Sequence, residues 1–233
     1  MKKSKVFLFL FIISIIFVGC NSGNTKDGQK TTPESDNKIE QKEENGLTIL
    51  ESGYSVDDGK YMTFCFVVEN EDSEAAYELY TVTITAYDEK GAVLATTDQV
   101  MNSIEPGEKQ SFSSIMDCNG ENPSDVKFTI DFGNKKKPSN SSIKSSDLEI
   151  SGTNDRKGDY NDVSVTGMVK NNSEIDTTSI GVTVLFKKDG NIVYGSMTYI
   201  DNLNANGEKP FEITAYNVPD YDSYEVSAHD WGF

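Results

Sequence analysis

The sequence predicts an all-β chain built as two tandem antiparallel β-sandwiches, and three observations carry that prediction. Apolar and polar side chains alternate at period two in several short runs, the half-buried strand signal. Turn-forming Gly, Asn and Asp separate the runs, and no stretch has a competing helical period. The whole pattern then occurs twice at an offset of about one hundred residues, too long for a solenoid repeat and right for a duplicated domain.

In chain order, the first element is a leader. Lys2, Lys3 and Lys5 precede an apolar run over Val6–Val18 that is broken only by Ser14, and Gly19-Cys20 closes it. That order of charge, apolar core and small residue is an export signal cut before a cysteine. The segment resembles a bacterial lipoprotein signal, with Phe17-Val18-Gly19-Cys20 as the lipobox and Phe17 where the family usually has Leu. The resemblance implies that residues 1–19 are removed, that Cys20 receives a diacylglyceryl group, and that the protein sits on the extracytoplasmic face of a cell membrane. Each buried methylene of such an anchor contributes about 0.8 kcal/mol, so several acyl chains hold durably. Loss of three lysines with the leader moves the net charge from −17 to −20, which disfavours nucleic acid and anionic headgroups as partners.

Residues 20–45 pair the lipidated cysteine with a Gly/Ser/Thr/Asn/Lys/Glu tract in which Ile39 is nearly the sole apolar residue. Such a composition cannot offset its ordering entropy and is expected to be a disordered tether spanning roughly 28 Å. The first copy, residues 46–132, follows. Met62, Phe64, Phe66 and Val68 alternate with Tyr61, Thr63, Cys65 and Val67; Val82, Ile84 and Ala86 make a second strand, which turns at Gly91 into Ala92–Thr97; Val126, Phe128, Ile130 and Phe132 close the copy. Residues 133–146, with Lys135-Lys136-Lys137-Pro138 and a Ser/Asn cluster, are expected to be an interdomain linker. The second copy, residues 147–233, repeats the order with Val163, Val165, Gly167 and Val169, then Ile180, Val182 and Val184, a turn at Gly190 into Asn191–Tyr199, and Tyr224, Val226 and Ala228.

Val165-x-Gly167-x-Val169-x-Asn171, the apolar strand ending in Tyr87-Asp88 with Gly91 after it, Pro106-Gly107-Glu108, and Phe112 or Phe211 downstream together resemble the FxLYD domain. Copy one reads Ile84-Thr85-Ala86-Tyr87-Asp88 at the eponymous motif, while copy two reads Phe186-Lys187-Lys188 with one more residue before Gly190. The resemblance covers both copies and implies an immunoglobulin-like sandwich on a secreted or lipid-anchored bacterial protein. It brings no common activity.

No catalytic residue, metal site or cofactor emerges from the sequence. His229 is the single histidine and lies in the last strand, so a zinc cage has too few ligands and a Ser-His-Asp set would hang on that one residue. Asp57-Asp58-Gly59, Asn70–Glu74, Asn154-Asp155, Gly158-Asp159 and Asn161-Asp162 offer oxygens to a cation such as calcium, but turns choose these residues for backbone reasons and none has EF-hand spacing. Cys65 and Cys118 could form a disulfide contributing about 4 kcal/mol in chain-entropy terms. Against the bridge, Cys65 alternates out of phase with Phe64 and Phe66 and so faces away from the core, and copy two has Thr166 in its place.

A sandwich filled by its own side chains binds at loop ends and sheet edges. The expected function is thus non-catalytic: a lipid-anchored binding or scaffold protein that contacts an envelope protein or wall component. The alternative is a substrate-capturing lipoprotein of a transporter or envelope-maintenance system, which needs a cleft that such short copies hardly supply. Tyr77, Leu79 and Tyr80, in a turn two residues longer than its counterpart in copy two, are the expected contact residues. The competing reading has Leu79 and Tyr80 opening the strand through Val82 and packing inward.

Overall fold

Fifteen strands and two short 3-10 turns make up the described residues, 46–57 and 60–232, of a computed structural model. The leader, Cys20 and the tether lie outside them. In copy one, β1 (Leu47–Asp57), β2 (Tyr61–Asn70) and β7 (Lys109–Asp117) form one antiparallel sheet in the order β1-β2-β7. Facing it is the sheet β5-β4-β8, made of β4 (Thr81–Tyr87), β5 (Val93–Val100) and β8 (Asp125–Asp131). The small strands β3 (Ala76–Glu78), β6 (Ser103–Ile104) and β9 (Asn134–Lys136) form a third sheet, β6-β3-β9. Copy two repeats both main sheets. One is β10-β11-β14, from β10 (Leu148–Lys157), β11 (Val163–Asn171) and β14 (Glu208–Ala215); the other is β13-β12-β15, from β12 (Thr177–Lys188), β13 (Asn191–Leu203) and β15 (Ser223–Asp230). The chain is all-β, two immunoglobulin-like antiparallel sandwiches in tandem.

The period-two pattern places each core. Met62, Phe64, Phe66 and Val68 of β2 meet Val82, Ile84 and Ala86 of β4 in one buried cluster, and Val163, Val165 and Val169 of β11 meet Ile180, Val182, Val184 and Phe186 of β12 in the other. The two hairpins differ in length for a local reason. Lys188 pairs with Asn191 across Asp189 and Gly190, both at positive φ, the two-residue turn that matches strand twist. In copy one the loop is longer, and the Asp88 carboxylate accepts the amides of Lys90 and Ala92 to close it. Both hairpins carry a bulge at the same place, at Ala86/Tyr87 in copy one and at Phe186/Lys187 in copy two, so the two copies differ in the turn itself.

The repeated Val-x-Asn is structural. Asn70 Nδ2 donates to the carbonyls of Ala75 and Ile104, and its Oδ1 accepts the Asp72 amide. Asn171 does the same with Ile175, Asn204 and Ser173. Both side chains are fully buried, so each satisfies backbone groups that would otherwise be orphaned beneath a loop.

The expected linker, residues 133–146, is built into the fold instead. β9 pairs with β3, Lys135 and Lys136 bond Asp72 and Glu78, and Ile143 is buried. Further along, Glu105 accepts the Ser139 amide and the Ser142 hydroxyl, and Glu108 accepts the Ser145 amide. The Ser/Asn/Lys composition suggested solvation; the Ser139 and Ser145 amides and the Ser142 hydroxyl are instead taken up by two buried carboxylates of copy one.

The two sandwiches also meet face to face, through unlike sheets. β2 is buried on both faces from Met62 to Val68, and β12 from Ile180 to Lys187. Cys65, Val67, Leu185 and Ile192 form a third apolar cluster there, with Leu50 against it. The layers therefore run β5-β4-β8, β1-β2-β7, β13-β12-β15, β10-β11-β14, and the three clusters fill the three spaces between them.

Candidate functional site

The residues singled out in the sequence scatter over the structure. Cys65 and Cys118 are free thiols, both buried, so the bridge is not formed. Cys118 lies in the core of copy one, while Cys65 faces away from that core as its phase required and is covered by copy two. Its Sγ lies 3.5 Å from the Gly53 carbonyl, and burial pushes the thiol far above its usual range.

Tyr77 and Tyr80 do not present a contact surface: both are buried. The Tyr77 ring packs against Phe132, with centroids 6.3 Å apart, and its hydroxyl donates to Asp72. The Tyr80 hydroxyl donates to Gln110 Oε1 at 2.9 Å. A polar tip that finds a partner inside is how a tyrosine becomes a core residue, and β3 pulls this segment under the sheet. Leu79 alone is exposed, at 52 % and with φ of 53°, a corner that turns one tyrosine into each flank.

The acidic turns are also spoken for. Asp72 accepts the amides of Glu74 and Ala75 as well as Lys135 Nζ, whose hydrogen bond leads in holding its carboxyl down at about 2. Asp155 accepts the Tyr221 hydroxyl at 2.6 Å. No cluster of three metal-ligating side chains occurs among the described residues. Part of Asp57-Asp58-Gly59 lies outside them. No described helix is long and apolar enough to cross a membrane.

Two concavities stand on copy two. One is an open depression of about 550 Å³ on the outer face of β10-β11-β14, lined by Gly152, Thr166, Met168, Pro210 and Glu212. The other, of about 110 Å³, is at the loop end where β10 turns into β11 and β14 leaves for β15, and is lined by Lys157, Asn161, Asp162, Pro219, Asp220 and Tyr221. Beside it stand the most exposed aromatic of the described residues, Tyr160 at 88 %, and Tyr216 at 61 %. The larger hollow is a shallow, largely apolar stretch of sheet face with no exposed aromatic among the described residues that line it; the smaller one lies next to the exposed aromatic surface that recognition sites favour.

That loop end is rigidly held. Val218 N donates to the Asn161 carbonyl, Gly158 N to the Asp162 carbonyl, and Asp162 N to the Asp159 carbonyl. Lys157 Nζ sits 4.5 Å from the Tyr221 ring centroid. Tyr160 and Asn161 hold φ of 58° and 63°, a left-handed pair that costs a tyrosine energy it would not spend in a free chain. Sequence reading passed over these tyrosines. The available signal was their setting, Asp159-Tyr160-Asn161-Asp162 and Tyr216-Asn217, aromatics placed among turn formers rather than in a strand run.

No family model matches this chain, and no curated protein matches it either. Among solved structures it is similar to red sea bream transglutaminase, with 8 % identity, a TM-score of 0.27, and coverage of 80 % of this chain and 31 % of the other. The chain thus spans about a third of that enzyme's length, and at this TM-score the likeness carries no argument.

Proposed function

We propose that the protein is a lipid-anchored, non-catalytic binding or scaffold module of the bacterial cell surface, made of two FxLYD-like sandwiches and held to the membrane by a diacylglyceryl group on Cys20. Its contact surface is the loop end of copy two, where Tyr160 and Tyr216 flank the hollow beside Tyr221. The observation that carries this reading is the exposure of Tyr160 on a loop braced by backbone hydrogen bonds: a large apolar side chain is fixed in solvent instead of folding back onto the chain. Pre-ordering of that kind lowers the entropy lost on binding. The partner is an envelope protein or a wall component.

One experiment covers both halves. Envelope proteins are crosslinked to the intact lipidated chain, to Tyr160→Ser/Tyr216→Ser, and to Cys20→Ala. The double variant should lose its crosslinked partner with the melting temperature unchanged, and Cys20→Ala should lose incorporation of an alkynyl fatty acid and leave the membrane fraction. Retained crosslinking in the double variant would remove the loop end as the contact, and retained label in Cys20→Ala would remove the anchor.

A further inference from the structure

The face-to-face seam between the sandwiches contains one polar side chain that nothing satisfies. His229 is 1 % exposed, and neither ring nitrogen has a hydrogen-bond partner. It stands on β15 opposite Gly181, so close that a Cβ on that glycine would lie 3.1 Å from the imidazole Cε1. The ring meets Trp231 edge-on at 5.4 Å, and Trp231 in turn stacks on Phe112 of copy one at 5.8 Å. Asn102 of copy one donates to the Trp231 and Gly232 carbonyls. The end of β15 is therefore a clasp that carries copy two onto copy one, with an unpartnered histidine at its root.

We propose that His229 is an acid-sensitive latch: protonation of its ring opens the clasp and parts the two sandwiches while each keeps its own core. An imidazolium has two N–H donors and a charge, and at this position it meets glycine backbone, tryptophan and thioether surface. An unpaired buried charge is expensive, and moving an edge strand into water relieves it.

The ionisable groups around the seam are otherwise engaged. On β12, Lys187 is 2.9 Å from Glu51 of β1 and 3.0 Å from Glu225 of β15. β13 brings Tyr199, whose phenol burial pushes up. β7 brings Lys109, 3.7 Å from Glu69 of β2. On β15 itself, Asp230 accepts the Thr177 hydroxyl and the Gly232 amide. None of these carboxylates bonds the His229 ring.

Burial holds the imidazole down from the ordinary 6.5 to about 4. Between those values the closed form binds fewer protons than the open one, so closure is complete above pH 6.5, weakens as pH falls through the window, and weakens no further below about 4.

The chain has one histidine and one tryptophan, and they touch, so the full-length protein reports on itself. From pH 7 to 3, the His229 ring-proton NMR signal is followed beside acrylamide quenching of Trp231, the radius of gyration and far-UV circular dichroism. Quenching should rise severalfold and the radius should grow in the same step as ring protonation, with the β signal retained. His229→Phe should move that step down by at least one pH unit. The latch is overturned by an unchanged midpoint in His229→Phe, by a ring that titrates near 6.5 without any change at Trp231, or by loss of the β signal in the same step. Should the variant fail to fold, the wild-type titration decides between these outcomes by itself.

Discussion

The sheets that meet in the seam and their counterparts on the outside come from the same duplicated pattern, and they differ at a handful of positions. Cys65 and Ser113 are paired across β2 and β7; the corresponding pair in copy two is Thr166 and Glu212. Leu185 and Gly195 are paired across β12 and β13; copy one has Thr85 and Thr96 there. The inner set is small or apolar, and Gly195 is essential to the fit, since a Cβ on it would lie 2.9 Å from the Cys65 Cβ and 3.0 Å from Ser113 Oγ. The outer set is polar and satisfies itself, with Thr83 bonded to Asp98, Thr85 to Thr96 and Ser164 to Glu212. Whether a sheet face receives another sheet is thus decided by the side chains between the core positions, in strands whose core pattern is the same.

The contrast can be broken at its tightest point. Gly195→Val should force the seam apart and cost about 3 kcal/mol, the upper range for overfilling a packed site, whereas Thr96→Val at the equivalent outer position should change stability by less than about 0.5 kcal/mol. Chemical denaturation of the two variants compares them directly, and equal losses would mean that the seam does not discriminate. A middling effect is expected where the connecting strap is tied down. Glu105→Ala leaves the Ser139 amide unpaired and the Ser142 hydroxyl with the Ser139 carbonyl as its acceptor, at a cost of about 2 kcal/mol. Trypsin should then cut after Lys144 in the variant while leaving the wild-type strap intact over the same interval. The smallest effect separates loop from core. Tyr160→Gly should gain about 0.5 kcal/mol, because glycine accepts φ of 58° without strain although it loses more chain entropy; a loss of stability there would show that the tyrosine packs inward.

Strands, turns, duplication and hairpin positions were legible because each is local, set by alternation and by Gly or Asp at positive φ. The seam was legible in part. Met62–Val68 and Ile180–Phe186 are apolar or small apart from Thr63 and Thr183 and carry no charge, the mark of a strand covered on both faces, yet the alternation of larger residues within them suggests one buried face. Tyr77 and Tyr80 read as surface anchors because aromatics in a turn have that meaning until a strand as short as β3 draws them under. The strap read as a linker because its partners, Glu105 and Glu108, are themselves acidic residues that look like solvent-facing turn material; only the fold brings them against its amides. Tyr160 and Tyr216 left a signal in composition and none in period.

Covalent connection explains why so modest a seam suffices. The strap joins the two sandwiches covalently, so closing the seam is an intramolecular step with an effective concentration on the order of millimolar. A contact made of one small apolar cluster, the Thr183 hydroxyl on the Ser111 carbonyl at 3.0 Å, a shared lysine and the Trp231 clasp on Phe112 and Asn102 needs less intrinsic strength under that condition than it would between separate molecules. The strap raises the population of the docked form, and the seam chooses which faces meet.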